Sequence, residues 1–263
     1  MNILFTSDLD RTLIFSERTK LSNSDYKCIE QHDGRNVSYI STTTMDRLTK
    51  LNGILDFVPV TTRSFQQYKR LTIFQRNLQP KIAIAANGGV IIQNGEIDEV
   101  WQQYINQKMN ELPLLYPQIQ TYFSAIFNAP YVLRIYEVEQ LFFVLIIDNE
   151  KLPKMELQHL QLELEQYDWT CCLLGRKIYI LPRFLTKGAA VQYIKSQFKY
   201  DLHIAAGDSE LDLSMLELAD KCFIPQHGDL EKNKDEHGFP VMKETSSNFS
   251  DACLQQILET CAK

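Results

Sequence analysis

Short apolar runs that stop abruptly at polar residues are the feature that most constrains how this chain can fold. Four such runs occupy residues 3–5, 57–60, 82–86 and 202–206. Runs of this length are typical of buried strands, and a helix is expected over residues 65–78, where apolar residues recur at helical spacing. Alternating strands and helices predict an α/β protein with a parallel, doubly wound sheet, in which residues at the carboxyl ends of strands face the ligand-binding crevice.

The middle of the chain follows a different pattern. Between residues 101 and 181 we expect a helix, two strands, a second helix and two further strands. Strands in hairpin-linked pairs predict an α+β insert with an antiparallel sheet. The first pattern resumes at Thr186, so the expected core is split around the insert. We therefore predict a Rossmann-like core of residues 1–98 plus 184–263 and an inserted α+β domain of residues 99–183.

Turn and cap residues define several smaller elements. Asp33-Gly34 and Asn94-Gly95 each separate two strand-like runs, and both dipeptides favour tight hairpin turns. Residues 41–44 offer N-caps for a helix that ends at Gly53. The last strand is expected at residues 222–224 and the last helix at residues 250–260.

Charge and cysteine content limit the expected partners and location. The 263 residues include 33 acidic and 27 basic side chains, and the net charge of -6 gives no general attraction to nucleic acid or to an anionic membrane. The six cysteines form no C-x-x-C pair, and the longest apolar run, residues 141–147, is too short to span a bilayer. We expect a cytoplasmic protein with reduced thiols and with no nucleic-acid or membrane partner.

Candidate functional residues gather at the predicted strand ends, and a helix that opens at Lys187 adds an ammonium group to the same rim. The strand-end residues are Asp8, Asp10, Thr61, Arg63, Asn87, Asp208 and Asp212. Carboxylates from remote parts of a chain suggest one divalent cation site, and oxygen ligands suit Mg²⁺. The five histidines show no ligand spacing and are expected at the surface or in loops.

This set of side chains favours phosphate chemistry. A metal, a lysine and a hydroxyl can neutralise phosphoryl oxygens while one carboxylate attacks and a second moves protons. An isolated Asp-x-Asp, by contrast, often only caps a helix or starts a turn.

The same residues resemble the motifs of a known family. They are Asp8-Leu9-Asp10-Arg11-Thr12, Thr61, Lys187 and Gly207-Asp208-Ser209-Glu210-Leu211-Asp212. In this order they resemble the four signature motifs of the haloacid dehalogenase (HAD) superfamily of phosphohydrolases. Residues 60–63, 87–89 and 207–216 are most similar to its sucrose-phosphatase and Cof-like branch, whose larger cap domain is inserted where we predict the α+β insert.

The resemblance implies a catalytic role for each matching residue. Asp8 would be the nucleophile that forms an aspartyl-phosphate, and Asp10 would be the general acid and base. Thr61 and Lys187 would bind phosphoryl oxygens. Asp212 would support the metal or Lys187 without contacting the substrate.

The resemblance also implies Mg²⁺ as the cofactor, held by Asp8, the backbone carbonyl of Asp10, and Asp208. Arg63 and Asn87 are candidates for contacts with the phosphate or the leaving group. The residues alone leave two other interpretations open, since Arg63 could pair with a surface carboxylate and Asn87 could simply turn the chain.

Two features depart from the family pattern. Arg11 stands where many members carry glycine, and an arginine fits there only if the loop does not need a positive φ. The long hairpin of residues 26–40 takes the place of the family's flap and is expected to reshape the entrance of the site.

The function implied is Mg²⁺-dependent hydrolysis of a small phosphorylated metabolite, with a sugar phosphate as one candidate. A phosphomutase similar to phosphomannomutase and a non-catalytic regulator that binds a phosphorylated metabolite are the alternatives. Because the four motifs act on the phosphoryl group, the choice of leaving group is expected to rest with the inserted cap and the hairpin.

Overall fold

The computed structural model describes residues 1–21 and 25–262, and the chain divides into two compact units. The first unit comprises Met1–Ile97 and Lys187–Lys263, and the second comprises Asp98–Thr186. Two separate stretches of chain therefore build the first unit, whereas one continuous stretch builds the second.

The elements follow in chain order. The first part of the first unit contains β1 (Ile3–Ser7), β2 (Phe15–Ser16), β3 (Tyr26–His32), β4 (Arg35–Ser41), α1 (Thr42–Leu51), β5 (Asp56–Pro59), α2 (Phe65–Lys69), β6 (Ile82–Ala85), β7 (Val90–Gln93) and β8 (Glu96–Ile97). The second unit contains α3 (Glu99–Asn110), α4 (Tyr116–Tyr122), α5 (Ser124–Phe127), β9 (Val132–Val138), β10 (Phe142–Ile147), α6 (Glu156–Glu165), β11 (Trp169–Leu174) and β12 (Lys177–Pro182). The rest of the first unit contains α7 (Lys187–Gln197), β13 (Leu202–Ala206), α8 (Leu213–Leu216), β14 (Lys221–Pro225), α9 (Lys234–His237), β15 (Val241–Met242) and α10 (Ser246–Cys261).

A five-stranded parallel sheet in the order β15-β14-β13-β1-β5 forms the centre of the first unit. All five residues of β1 are buried, as its apolar sequence predicts for a strand covered on both faces. β1 pairs with β5 on one side and with β13, from the other part of the chain, on the other. The prediction of an α/β fold with a parallel sheet is confirmed, and the carboxyl ends of these three strands lie side by side.

The third apolar run forms β6, which does not extend the five-stranded parallel sheet as expected. β6 pairs antiparallel with β7, and a single parallel bridge between Val60 and Ile84 links it to the strand before it. The cause is the turn that follows β6, where Ala86, Asn87 and Gly88 all have positive φ and reverse the chain at once. The nearest partner of β6 is therefore the strand that comes next in sequence.

The helix predicted over residues 65–78 is wrong as a single element. α2 ends at Lys69, and a π-helical turn, Ile73–Asn77, follows after a break. The rings of Tyr68 and Phe74 are both buried and stack at 5.8 Å. Residues six positions apart lie on different faces of one α-helix, so the break is what lets both rings enter the same core.

Two further expectations need correction. β14 is not the last strand, because β15, only two residues long, pairs with it in parallel at the edge of the sheet. His203 is not a surface residue but lies buried in β13, where its Nε2 is 2.9 Å from the Thr6 hydroxyl. Burial lowers the pKa of His203 to about 4, so the ring is neutral and acts as a hydrogen-bonding core residue.

The turns and caps predicted from local chemistry are confirmed. Asp33 and Gly34 join β3 to β4 with φ of 50° and 71°, and Asn94 and Gly95 join β7 to β8 with φ of 51° and 89°. Positive φ at both central residues is the type I′ geometry that these dipeptides favour. The hydroxyl of Ser41 accepts a hydrogen bond from the Thr44 amide and so caps α1.

The second unit is an antiparallel sheet in the order β11-β12-β10-β9, with a hydrophobic core of its own. Trp169 is fully buried in this core, and its indole nitrogen donates to the Leu114 carbonyl oxygen at 2.9 Å. The Tyr116 ring stacks on Phe143 at 4.6 Å. Among the described residues, no helix combines the length and the hydrophobicity that a membrane crossing would require.

Candidate active site

The loop after β1 places Asp8 at the carboxyl end of the central strand. The Asp8 amide donates to the Ala206 carbonyl oxygen at 2.9 Å and so prolongs the pairing of β1 with β13. The chain then curls back, because the Leu9 carbonyl oxygen accepts from the amides of Thr12, Leu13 and Ile14. This curl brings the Thr12 hydroxyl to 3.2 Å from Asp8 Oδ2.

Arg11 adopts a positive φ of 69°, contrary to the expectation that an arginine would exclude this conformation. The side chain compensates for the backbone strain through its contacts. Its Nη2 donates to the His227 carbonyl oxygen at 2.6 Å, and its Nε lies 3.4 Å from Asp208 Oδ2. The loop therefore does use the left-handed conformation, and Arg11 is fixed beside Asp208.

A buried ion cluster forms the centre of the site. Lys187, at the first turn of α7, is 1% exposed, and its ammonium donates to Asp8 Oδ1 and Asp212 Oδ1, each at 2.6 Å. The helix approaches closely because Gly188 follows, where a Cβ would lie 2.3 Å from the Ser214 carbonyl oxygen. A buried lysine with two charged acceptors is held in a single position.

Both carboxylate oxygens of Asp212 accept hydrogen bonds from groups of the site. Its Oδ2 accepts from the amides of Asp208 and Ser209 and from the Ser209 hydroxyl, while its Oδ1 accepts from Lys187. Gly207 permits this arrangement, since a Cβ there would lie 2.5 Å from the Asp212 Cβ. Asp212 therefore orients Lys187 and the loop that carries Asp208.

The cluster contains more acidic than basic groups. Burial raises the pKa of Asp8 to about 7; Lys187 opposes this shift, and the charges of Asp212 and Asp10 add to it. Burial, together with the charges of Asp8 and Asp212, also raises the pKa of Asp208 well above its usual range. Burial alone would lower the pKa of Lys187, but the charges of Asp212 and Asp8 outweigh it and raise the pKa.

This imbalance fits a divalent cation. Carboxylate oxygens of Asp8, Asp208 and Asp212 lie within 4.8 Å of one another. Since Asp212 is already fully hydrogen bonded, Asp8 and Asp208 are the side chains left to hold a metal. Hard oxygen donors with surplus negative charge are the setting that Mg²⁺ prefers.

Thr61 and Asn87 lie at neighbouring strand ends. Thr61 is fully buried, and its carbonyl oxygen accepts from the Asn87 amide at 3.0 Å. Its hydroxyl accepts from the Arg63 amide at 3.1 Å. Asn87 is buried and has a φ of 55°, so it does turn the chain, as one interpretation of the sequence held.

Arg63 reaches from this strand end to Asp10. Its Nε and Nη2 contact the two Asp10 carboxylate oxygens at 2.7 and 2.8 Å. Its Nη1 contacts Glu30 Oε2 at 2.6 Å. Arg63 thus pairs with two carboxylates, and one of them, Glu30, is not among the candidates predicted from the sequence.

The structure therefore brings the sequence-derived candidates together in three groups. Asp8, Lys187, Asp208 and Asp212 form the buried cluster, Asp10 pairs with Arg63, and Thr61 adjoins Asn87. Sequence alone gave no signal for Glu30, because the register shift that turns it inward follows from strand pairing rather than from residue pattern.

Comparison with known proteins gives one family and a set of structural neighbours. Residues 1–224 match the family profile of sucrose-6F-phosphate phosphohydrolase. A search of curated protein sequences finds no match.

Solved structures with low sequence identity share the fold. The sucrose-phosphatase of Synechocystis sp. PCC6803, solved with sucrose and phosphate, has a TM-score of 0.68 at 14% identity, over 98% of this chain and 97% of its own. A trehalose-6-phosphate phosphatase related protein has a TM-score of 0.58 at 17% identity, over 99% and 100% of the two chains. The HAD subclass IIB sugar phosphatase BT4131 has a TM-score of 0.60 at 15% identity, over 100% and 99%.

Proposed function

Since the chain belongs to the sucrose-6F-phosphate phosphohydrolase family of HAD phosphatases, we propose that it hydrolyses a small sugar phosphate with Mg²⁺ through a phosphoryl group carried on Asp8. The observation that supports this most is the buried cluster in which Lys187 joins Asp8 to Asp212 while Asp208 stands beside them. Such a cluster holds the Asp8 carboxylate in one position for attack on a substrate.

The proposed reaction has two displacements at phosphorus. In the first, an Asp8 carboxylate oxygen forms a bond to phosphorus, the ester P–O bond breaks, and Asp10 gives a proton to the leaving sugar oxygen. In the second, Asp10 takes a proton from water as the water oxygen attacks phosphorus. The bond between phosphorus and Asp8 then breaks, which releases inorganic phosphate and restores Asp8.

Two cationic or polar groups would neutralise the transferring phosphoryl group. Lys187 places an ammonium beside Asp8, and Thr61 offers its hydroxyl at the end of the adjacent strand. Positive charge fixed in advance where negative charge develops is the largest single source of catalysis in many enzymes. Asp212 would act indirectly, by holding Lys187.

Mg²⁺ would be held by the side chains of Asp8 and Asp208 and by the backbone carbonyl of Asp10. When bound, Mg²⁺ neutralises charge on the phosphoryl oxygens and favours ionised Asp8. Ionisation matters because the pKa of Asp8, about 7 without a metal, would leave much of the nucleophile protonated near neutral pH.

The leaving group would be chosen outside the catalytic cluster. We assign this selection to the inserted cap of residues 99–183 and to the hairpin of residues 26–40. Arg63 and Asn87 are the candidate residues of the core for a contact with the phosphate or the leaving group. The predicted cytoplasmic location agrees with a metabolite substrate. Sucrose 6-phosphate is the first candidate, because the matched family is named for it.

The test is a screen of sugar phosphates for release of inorganic phosphate, with Mg²⁺ and with EDTA. We expect Mg²⁺-dependent release by the wild type and none by Asp8→Asn, which keeps the side-chain size but lacks the attacking oxyanion. Asp46→Asn, at an exposed position of α1, is the matched control and should act like the wild type. Formation of an isomeric phosphate instead of free phosphate would contradict hydrolysis.

A further inference from the structure

The carboxylate of Glu30 is buried in the β3–β4 hairpin, although the proposed chemistry does not use it. The side chain is fully buried. Its Oε2 accepts from the Ser38 hydroxyl and from Arg63 Nη1, both at 2.6 Å, and its Oε1 accepts from Arg70 Nε at 3.0 Å. A buried carboxylate with this many donors is held in one orientation and stays ionised.

The strand pairing of the hairpin directs this carboxylate into the protein interior. Glu30 stands opposite Ser38, and the pairing of β3 with β4 shifts register on both sides of Glu30. As a result Ile29 and Glu30, although adjacent, are both buried. The Thr72 hydroxyl donates to the Ile29 carbonyl oxygen at 3.1 Å, which fixes the hairpin against the segment after α2.

Arg63 links this buried anchor to the open part of the site. Its guanidinium contacts Glu30 through Nη1 and Asp10 through Nε and Nη2, and Nη2 also lies 2.9 Å from the Ser38 hydroxyl. The Arg63 side chain is 13% exposed, whereas that of Asp10 is 49% exposed. Of the three side chains Glu30, Arg63 and Asp10, Glu30 is therefore the most buried and holds the other two in place.

We propose that Glu30 is a positioning residue, which holds Arg63 in the orientation that fixes the Asp10 carboxylate for its part in the reaction. The inference rests on the proposed function, because it gives Asp10 the proton transfers. Without Glu30, Arg63 keeps its bond to Asp10 but regains the freedom of a long side chain, and the pair moves together. A misplacement of about 1 Å in a reacting group can cost about 100-fold in rate.

The test compares two phosphate esters that differ in their need for a proton. A sugar leaves as an alkoxide and needs a proton from Asp10, whereas nitrophenolate leaves unaided. The value of kcat/KM covers the steps from substrate binding through the first irreversible cleavage, so the later attack of water, in which Asp10 acts as a base, does not contribute to it. We expect Glu30→Gln to lower kcat/KM about 10- to 100-fold for the sugar phosphate that the wild type hydrolyses best, and to leave it within about 3-fold for p-nitrophenyl phosphate.

Glu17→Gln is the matched control. Glu17 adjoins β2 of the same three-stranded sheet and pairs with Lys20 at the surface, where its side chain is 62% exposed. This variant also exchanges a carboxylate for an amide but should keep wild-type kcat/KM for both esters.

Several results would overturn the assignment. Equal losses for both esters would show a general structural defect, and unchanged values for both would show that Glu30 does not act on Asp10. If Glu30→Gln does not fold, Ser38→Ala replaces it, since Ser38 contacts both Glu30 and Arg63 without a charge; the same selective loss is expected, and its absence would reject the role. A wild type that hydrolyses no ester would instead reject the proposed function, and this inference with it.

Discussion

Asp8→Asn should stabilise the metal-free protein at alkaline pH, although it removes the proposed nucleophile. The pKa of Asp8 is about 7 in the folded chain, above its usual value of 3.8, chiefly because the carboxyl is buried. A raised folded pKa contributes stability below pH 3.8, and this stability is lost as the pH rises through about 7. Asparagine cannot ionise, so the stability of the Asp8→Asn variant does not fall in this way as the pH rises.

The expected size follows from the same values. Between pH 5.5 and pH 8, ionisation of Asp8 lowers the free energy of unfolding of the wild type by about 2 kcal/mol, since one pKa unit corresponds to about 1.4 kcal/mol. Asparagine keeps an acceptor oxygen for Lys187, so the buried ammonium does not lose this hydrogen bond. Loss of the Asp8 charge also eases ionisation of Asp208, because that charge raises the Asp208 pKa. The advantage of Asp8→Asn over the wild type should therefore grow by about 2 kcal/mol over this pH range.

Urea unfolding with EDTA, followed by circular dichroism at pH 5.5 and pH 8, measures this difference. Asp46→Asn should show no change between the two pH values relative to the wild type. With saturating Mg²⁺ the order should reverse, because the wild type gains about 2.7 kcal/mol at a ligand concentration 100 times Kd. A difference between Asp8→Asn and the wild type that stays constant with pH, or a variant less stable at pH 8, would refute the electrostatic reasoning.

Three further predictions concern the metal, the loop and the insert. Asp208→Ala should weaken Mg²⁺ binding, so that its residual activity rises with added Mg²⁺; activity indifferent to Mg²⁺ concentration would exclude Asp208 as a ligand. Arg11→Gly should bind Mg²⁺ up to about 5-fold more tightly by calorimetry, because a guanidinium 3.4 Å from Asp208 Oδ2 is removed, and unchanged affinity would contradict this. Replacement of residues 99–183 by a short Gly/Ser linker should preserve Mg²⁺ binding and abolish preference among sugar phosphates, whereas a folded deletion variant with the wild-type ranking would exclude the insert from selection.

Features set by local chemistry were predictable from the sequence. The turns at Asp33-Gly34 and Asn94-Gly95 follow from the tolerance of these residues for positive φ, and the Ser41 cap follows from its hydroxyl. The parallel sheet followed from buried apolar runs separated by helices. The approach of Asp8 to Asp208 followed from the geometry of parallel strands, whose carboxyl ends share one edge.

Features set by tertiary packing were not predictable. The break after α2 depends on two aromatic rings that share one core, and the pairing of β6 depends on a turn with three successive positive φ values. The φ of Arg11 is offset by contacts with His227, more than 200 positions away in the chain. Glu30 turns inward through a register shift that no residue pattern in β3 indicates.

Acid quench of the wild type during turnover of a ³²P-labelled phosphate ester with Mg²⁺ tests the central claim, that hydrolysis proceeds through a phosphoryl group on Asp8. The label should appear on the peptide that contains Asp8, disappear as free phosphate is released, and be absent from Asp8→Asn. Release of free phosphate by the wild type with no label on the protein, or label on Asp8→Asn, would contradict the claim.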